Sequence, residues 1–174
     1  MIELVKPTKE NMAALEIYKA NIAQSEEFHG VSDLNIISVD EWLQQCEDHS
    51  RGINLPDGFV PSSQFVAIRD DGKIVGSINI RHELNEHLLN SGGHIGYMVA
   101  PDERKKGYAK EILRLGLIKC KKLDIYKVLV TCKKSNLYSA KVVIANGGVL
   151  ENEIPYKGDI LQRYWINLTK EIKL

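Results

Sequence analysis

The chain has 174 residues and carries 23 basic and 23 acidic side chains, so its formal net charge is zero. That length suits one domain with a sizeable core, read here as spanning residues 1–174, and the charge balance argues against nucleic acid or an anionic membrane as partner. Cys46, Cys120 and Cys132 are far apart and odd in number, a pattern that suits a reducing cytoplasm better than a disulfide framework; no apolar run nears the ~20 residues of a membrane helix, and residues 1–6 lack a signal peptide's long apolar middle.

In chain order, residues 2–5 predict a short strand. After Pro7-Thr8, the residues Met12, Leu15, Ile17 and Ile22 recur at helical spacing. Ser38-Val39-Asp40-Glu41 predicts a capping box that opens a second helix through Trp42, Leu43 and Cys46 to about His49. Residues 51–63, with Gly52, Pro56, Gly58 and Pro61, predict a loop long enough to hint at function. Residues 64–69 and 73–81 predict strands joined by the turn Asp70-Asp71-Gly72. Residues 85–93 predict a polar connector and 94–99 the next strand. From Gly107 a helix places Ala109, Ile112, Leu113, Gly116, Leu117 and Cys120 on one stripe. Residues 126–132 predict a strand whose Val128-Leu129-Val130 run suits cover on both faces. Residues 136–145 predict a shorter helix stopped by Asn146-Gly147-Gly148, and 149–153 and 160–168 two closing strands. The order predicts an α/β sandwich, a mixed central sheet with helices on both faces.

The most informative stretch is Arg104-Lys105-Lys106-Gly107-Tyr108-Ala109, which follows a strand and the breaker Ala100-Pro101 and opens a helix. The first helical N–H groups lack partners within the helix and share its positive dipole end, so they form an anion site. Gly107 lets the backbone come close, and Arg104, Lys105 and Lys106 add positive charge. No Lys-Ser or Lys-Thr follows the glycine, as a Walker loop requires, and Gly-x-Gly-x-x-Gly is absent. The site therefore suits a pyrophosphate whose chemistry takes place elsewhere on the ligand.

Gly93-His94-Ile95-Gly96-Tyr97-Met98-Val99-Ala100-Pro101, then Arg104-x-x-Gly107-x-Ala109, then Asn136, Ser139, Ala140, Lys141 and Asn146-Gly147-Gly148, taken together, resemble the GCN5-related N-acetyltransferases. The resemblance covers roughly residues 64–168. It implies acetyl-coenzyme A as donor and no metal. It implies that main-chain N–H groups between Arg104 and Ala109 hold the pyrophosphate, and that the strand edge at Tyr97, Met98 and Val99 pairs with the pantetheine arm where this strand and the one at residues 128–131 splay apart. It also implies that Asn136 contacts the coenzyme just past the second of these strands, while Ser139 reads as a hydrogen-bonding residue for it.

Acetyl transfer to an amine needs a neutral nucleophile and hence a route for its proton. The thioester carbonyl becomes an oxyanion, for which the amide of Val99 or Met98 is the expected donor. His94 is the first choice for general base, with an intrinsic proton affinity suited to neutral pH; Glu83 is the second. The resembled family often carries a tyrosine seven residues after the asparagine, where this chain has Val143, so Tyr138 or Ser139 is the substitute acid. His82, His87 and His94 with Glu83 and Glu86 fit no zinc spacing. The acceptor is expected to be the primary amine of a small molecule or peptide, attacked directly in a ternary complex, and a homodimer is a further expectation. The rival readings are a module that binds acetyl-coenzyme A without turnover and, third, a nucleotide-binding or hydrolytic domain.

Overall fold

The structure, a computed structural model, describes residues 1–25, 28–31 and 33–169. Strand β1 (Ile2–Val5) leads into α1 (Met12–Ile22) and α2 (Val39–Ser50). Then come β2 (Ser62–Arg69), β3 (Ile74–Arg81), a single-turn helix α3 (Glu86–Asn90) and β4 (Ile95–Val99). A 3-10 turn at Pro101–Glu103 precedes α4 (Tyr108–Lys122), β5 (Lys127–Lys133), α5 (Leu137–Ala145), β6 (Val149–Tyr156) and β7 (Asp159–Asn167).

Local chemistry explains the boundaries. At α2 the expected box is present: Ser38 Oγ accepts the Glu41 N–H (3.2 Å) and Glu41 Oε2 accepts the Ser38 N–H (2.9 Å), which satisfies two orphan groups of the first turn. Asn136 caps α5 by accepting the Ser139 N–H at 3.1 Å. Within the predicted connector, Asn85 caps α3 by accepting the Leu88 N–H at 2.9 Å. A five-residue helix is too short to leave a periodic signal, which is why α3 reads as irregular in sequence.

Strand pairing refines the expectation of one mixed central sheet. All paired strands are antiparallel, and they fall into two blocks, β1-β2-β3-β4 and β5-β7-β6. Between the blocks stands the isolated bridge Gly93–Val130. The His94 N–H donates to Leu129 O at 2.8 Å, and the Gly92 N–H donates to Thr131 Oγ1 at 3.1 Å. Past this junction β4 and β5 share no ladder, so a gap opens between them.

Two apolar clusters cover opposite faces. Ile78, Ile80, Ile95, Ile112, Leu113, Val128, Val130 and Val143 pack on the α4/α5 side. Leu15, Tyr18, Ile22, Leu34, Trp42, Val66 and Met98 pack on the α1/α2 side. Residues alternate between faces along each strand, as a pleat requires: Tyr97 and Val99 lie against the first cluster and Met98 in the second. The three cysteines are unpaired, with Cys120 and Cys132 buried. Among the described residues no helix is long and apolar enough to cross a membrane.

Candidate active site

The basic loop is built as a pair of left-handed residues ahead of α4. Lys105 has φ +63° and Gly107, the N-cap residue, has φ +86°. Successive reversals of this kind turn neighbouring N–H groups toward one concave side, where an anion fits. A Cβ built on Gly107 would meet no atom within 4 Å. The requirement for glycine there is thus conformational, and the space in front of it is open.

The side chains of the loop divide into two groups. Arg104 and Lys105 are exposed. Lys106 instead turns back to Glu103 (2.8 Å), which also receives Lys73 (2.7 Å) and Arg69 (3.3 Å). Glu103 is 3 % exposed, and its carboxyl titrates below the usual range because Lys106 and then Lys73 hydrogen-bond it. Asp102 binds Lys73 (2.5 Å) and Asn21 (2.6 Å). These two carboxylates fasten the loop to the β2–β3 hairpin and to α1. The signal for Glu103 was present in sequence as an acid directly before three bases, but only burial shows that it organises them.

On β4 the main chain is as informative as the side chains. The Ala100 N–H donates to Val75 O (2.9 Å) and the Arg81 N–H donates to His94 O (2.8 Å). The β3–β4 register is unbroken between these points. Antiparallel alternation therefore turns the main-chain groups of Met98 toward β3 and those of Tyr97 and Val99 toward the gap. Of the two amides expected to face an oxyanion, the alternation leaves Val99 on the open edge and places Met98 in the ladder.

His94 is held by the neighbouring strand. Its Nδ1 accepts the Leu129 N–H at 3.0 Å, so the neutral ring carries its proton on Nε2 and has no free lone pair. Burial, followed by the nearby Arg81 charge, lowers its pKa to about 4. The residue is 7 % exposed and ties β4 to β5 at the head of the gap, an arrangement that favours a structural task over the first-choice role of base. Glu83 lies exposed just beyond β3. His82 shares a hydrogen bond with Ser63 Oγ at 2.8 Å, and among the described residues no group of three metal-binding side chains forms.

Tyr138 is 75 % exposed on α5 and points out of the fold. Val143, where the resembled family often has tyrosine, is fully buried. A hydroxyl does reach this side of the gap from another element: Tyr97 Oη is 3.1 Å from Ser139 Oγ. Burial pushes the Tyr97 phenol up to about 12, against a smaller opposing effect of the Ser139 hydrogen bond. Burial also raises the Cys132 thiol, with Ser139 again acting in the opposite sense. In sequence Tyr97 and Ser139 stand as separate expected coenzyme contacts; their pairing comes from the β4–α5 packing. The side-chain oxygen of Asn136 caps α5.

A four-strand block, a gap beyond β4 and a left-handed loop ahead of α4 are together the architecture of an acetyltransferase. The sequence profile described as Acetyltransferase (GNAT) family matches residues 26–143, and the chain belongs to that family. Family members use acetyl-coenzyme A as donor. Solved structures are similar across nearly the whole chain. One is RimL, the ribosomal L7/L12 alpha-N-protein acetyltransferase, in complex with coenzyme A, with a TM-score of 0.69, 16% identity and coverage of 96% of this chain and 94% of that one. Another is yncA from Salmonella typhimurium with acetyl-CoA, with a TM-score of 0.66, 14% identity and coverage of 99% and 96%. A chimera of the Vibrio cholerae spermidine N-acetyltransferase SpeG and hSSAT has a TM-score of 0.64, 17% identity and coverage of 95% of each chain. No curated protein matches the sequence.

Proposed function

We propose that the protein transfers the acetyl group of acetyl-coenzyme A to a primary amine by direct attack, with both substrates bound at once. The observation that carries this reading is the left-handed loop at Lys105 and Gly107, whose turn and open space suit a pyrophosphate, set after a strand with an unpaired edge. Acetyl-coenzyme A supplies an activated thioester. The main-chain N–H groups from Arg104 to Ala109 hold its diphosphate, and the free edge of Tyr97 and Val99 pairs with its amide-bearing arm as an added strand does.

In the reaction the amine nitrogen bonds to the carbonyl carbon, the carbon–sulfur bond breaks, and the proton lost by nitrogen ends on sulfur or in solvent. The Val99 N–H stabilises the oxyanion. Tyr97 stays protonated at neutral pH and, braced by Ser139, donates to the sulfur as negative charge develops there. Glu83 takes the role of base, accepting the amine's proton through water. Most of the rate comes from holding amine and thioester in contact. The unpaired cysteines accord with a reducing cytoplasm.

The test is acetyl-coenzyme A with a panel of amines, following free thiol. Amine-dependent thiol release supports transfer. Calorimetric binding of coenzyme A with no release across the panel would favour the non-catalytic reading, and absence of binding would remove both.

A further inference from the structure

The sheet face turned toward α1, α2 and residues 28–31 changes character along β3. At Ser77 the hydroxyl meets Tyr18 Oη (2.9 Å) inside the apolar cluster. Toward the head of the gap the same face carries Asn79 and then Arg81. Buried Gln64 on β2 donates from Nε2 to Gly30 O (2.6 Å) and Ile78 O (3.1 Å), while Asn79 Nδ2 donates to Gln64 Oε1 (3.3 Å) and Ser62 Oγ (3.2 Å). These uncharged groups satisfy one another.

Arg81 is different. Its Nη1 donates to Gly92 O (3.2 Å) and Gly93 O (3.0 Å), and its Nη2 lies 3.9 Å from where a Cβ on Gly96 would stand. Both of its side-chain partners among the described residues are carbonyls, not carboxylates, and burial lowers its pKa. Carbonyl dipoles orient the guanidinium but leave its net charge uncompensated, which is costly in a half-buried place. The charge stands beside Gly96, one residue before Tyr97 on the gap-facing edge of β4. Gly30 packs over this point so closely that a Cβ on it would come within 2.3 Å of Gly96 O, so no side chain at position 30 can stand there.

We infer that Arg81 receives a carboxylate of the acceptor. The substrate class is then a small molecule bearing both a primary amine and a carboxylate, with the amine carried toward the gap by that anchor, and a polycation is disfavoured. The inference rests on the acetyl-transfer reading of the site. A planar guanidinium that, among the described residues, bonds to the protein through Nη1 alone has a second edge that matches a carboxylate in two-point geometry.

The experiment compares thiol release with α-amino acids, their matched carboxamides and spermidine, on the native chain and on Arg81→Met and Arg81→Lys. For at least one acceptor pair the native chain should favour the acid over the amide by about 30-fold in kcat/KM, and Arg81→Met should erase that preference. Arg81→Lys, which keeps the charge and spares the fold, should retain part of it, about threefold. Coenzyme A binding by calorimetry should be the same in all three proteins. Equal use of acid and amide overturns the inference, as does preference for spermidine, or an Arg81→Met protein that binds coenzyme A and still prefers the acid. Absence of coenzyme A binding by the native chain would fail the underlying acetyl-transfer reading, a result the acid–amide comparison cannot mimic.

Discussion

The two faces of the sheet meet the same strands with opposite chemistry. On the α4/α5 side, β3 and β4 present Ile78, Ile80 and Ile95 to a closed apolar cluster, interrupted near the gap by Tyr97 and Ser139. On the α1/α2 side, the alternate positions of the same strands present Ser77, Asn79 and Arg81. On the proposed reading the donor is gripped by main chain in fixed geometry, whereas the acceptor is selected by side chains that a few substitutions would exchange. On that reading the contrast separates a donor site set by the backbone from an acceptor site set by side chains.

The largest effect that would break this contrast is at Gly107. A glutamate there must adopt φ +86°, at a cost of about 1–2 kcal/mol, and its side chain enters the open space that the diphosphate needs. The dissociation constant for coenzyme A should rise by about a hundredfold or more, measured by calorimetry, with the melting temperature lowered only modestly. Unchanged affinity would mean that main-chain amides do not hold the donor.

Glu103→Gln probes the support beneath that grip. The exchange leaves Arg69, Lys73 and Lys106 around a neutral group, and removing one partner of such a buried cluster should cost about 2 kcal/mol of stability. Lys106 and the loop lose their fastening, so affinity for coenzyme A should fall by about tenfold. Stability and affinity should move together in urea titrations and calorimetry. A loss of stability with unaltered affinity would show that the loop keeps its shape without the cluster.

The Tyr97 hydroxyl sharpens the donor side further. Tyr97→Phe removes the hydroxyl proposed to donate to sulfur while keeping the ring in the cluster, so kcat should fall by about tenfold with KM for acetyl-coenzyme A within about twofold. Ser139→Ala should fall less, because the phenol remains.

Much of this was legible in the residues, and the legible part is mostly backbone. Gly107 advertises a left-handed turn, Ser38 with Glu41 advertises a cap, and the Val128-Leu129-Val130 run advertises a covered strand; each is a local rule that neighbours in sequence satisfy. Glu103, Arg81 and the Tyr97–Ser139 pair were not legible as a site, because their meaning depends on partners 34, 11 and 42 positions away. His94 shows the same limit in the opposite direction. Its residue type suits proton transfer, but only the approach of β5 reveals that its lone pair is already used.

That use of His94 predicts the smallest effect and separates a tie from a base. In the folded chain its pKa is lowered to about 4, whereas in the unfolded chain it returns to about 6.5. Between those values the unfolded state binds the proton and the folded state does not, so this residue's contribution is whole above pH 6.5 and is lost as pH falls toward 4. Solvent screening at the edge of the gap reduces that contribution to about 1 kcal/mol. His94→Gln keeps an acceptor for the Leu129 N–H but cannot titrate, so urea unfolding of the variant should lose less stability than the native chain between pH 6.5 and 4.5, by about that amount. The acid limb of its pH–rate profile should stay where it is in the native protein. If that limb vanished on substitution while stability kept its native dependence on pH, the ring would be moving a proton in catalysis, and the tie between β4 and β5 would be incidental.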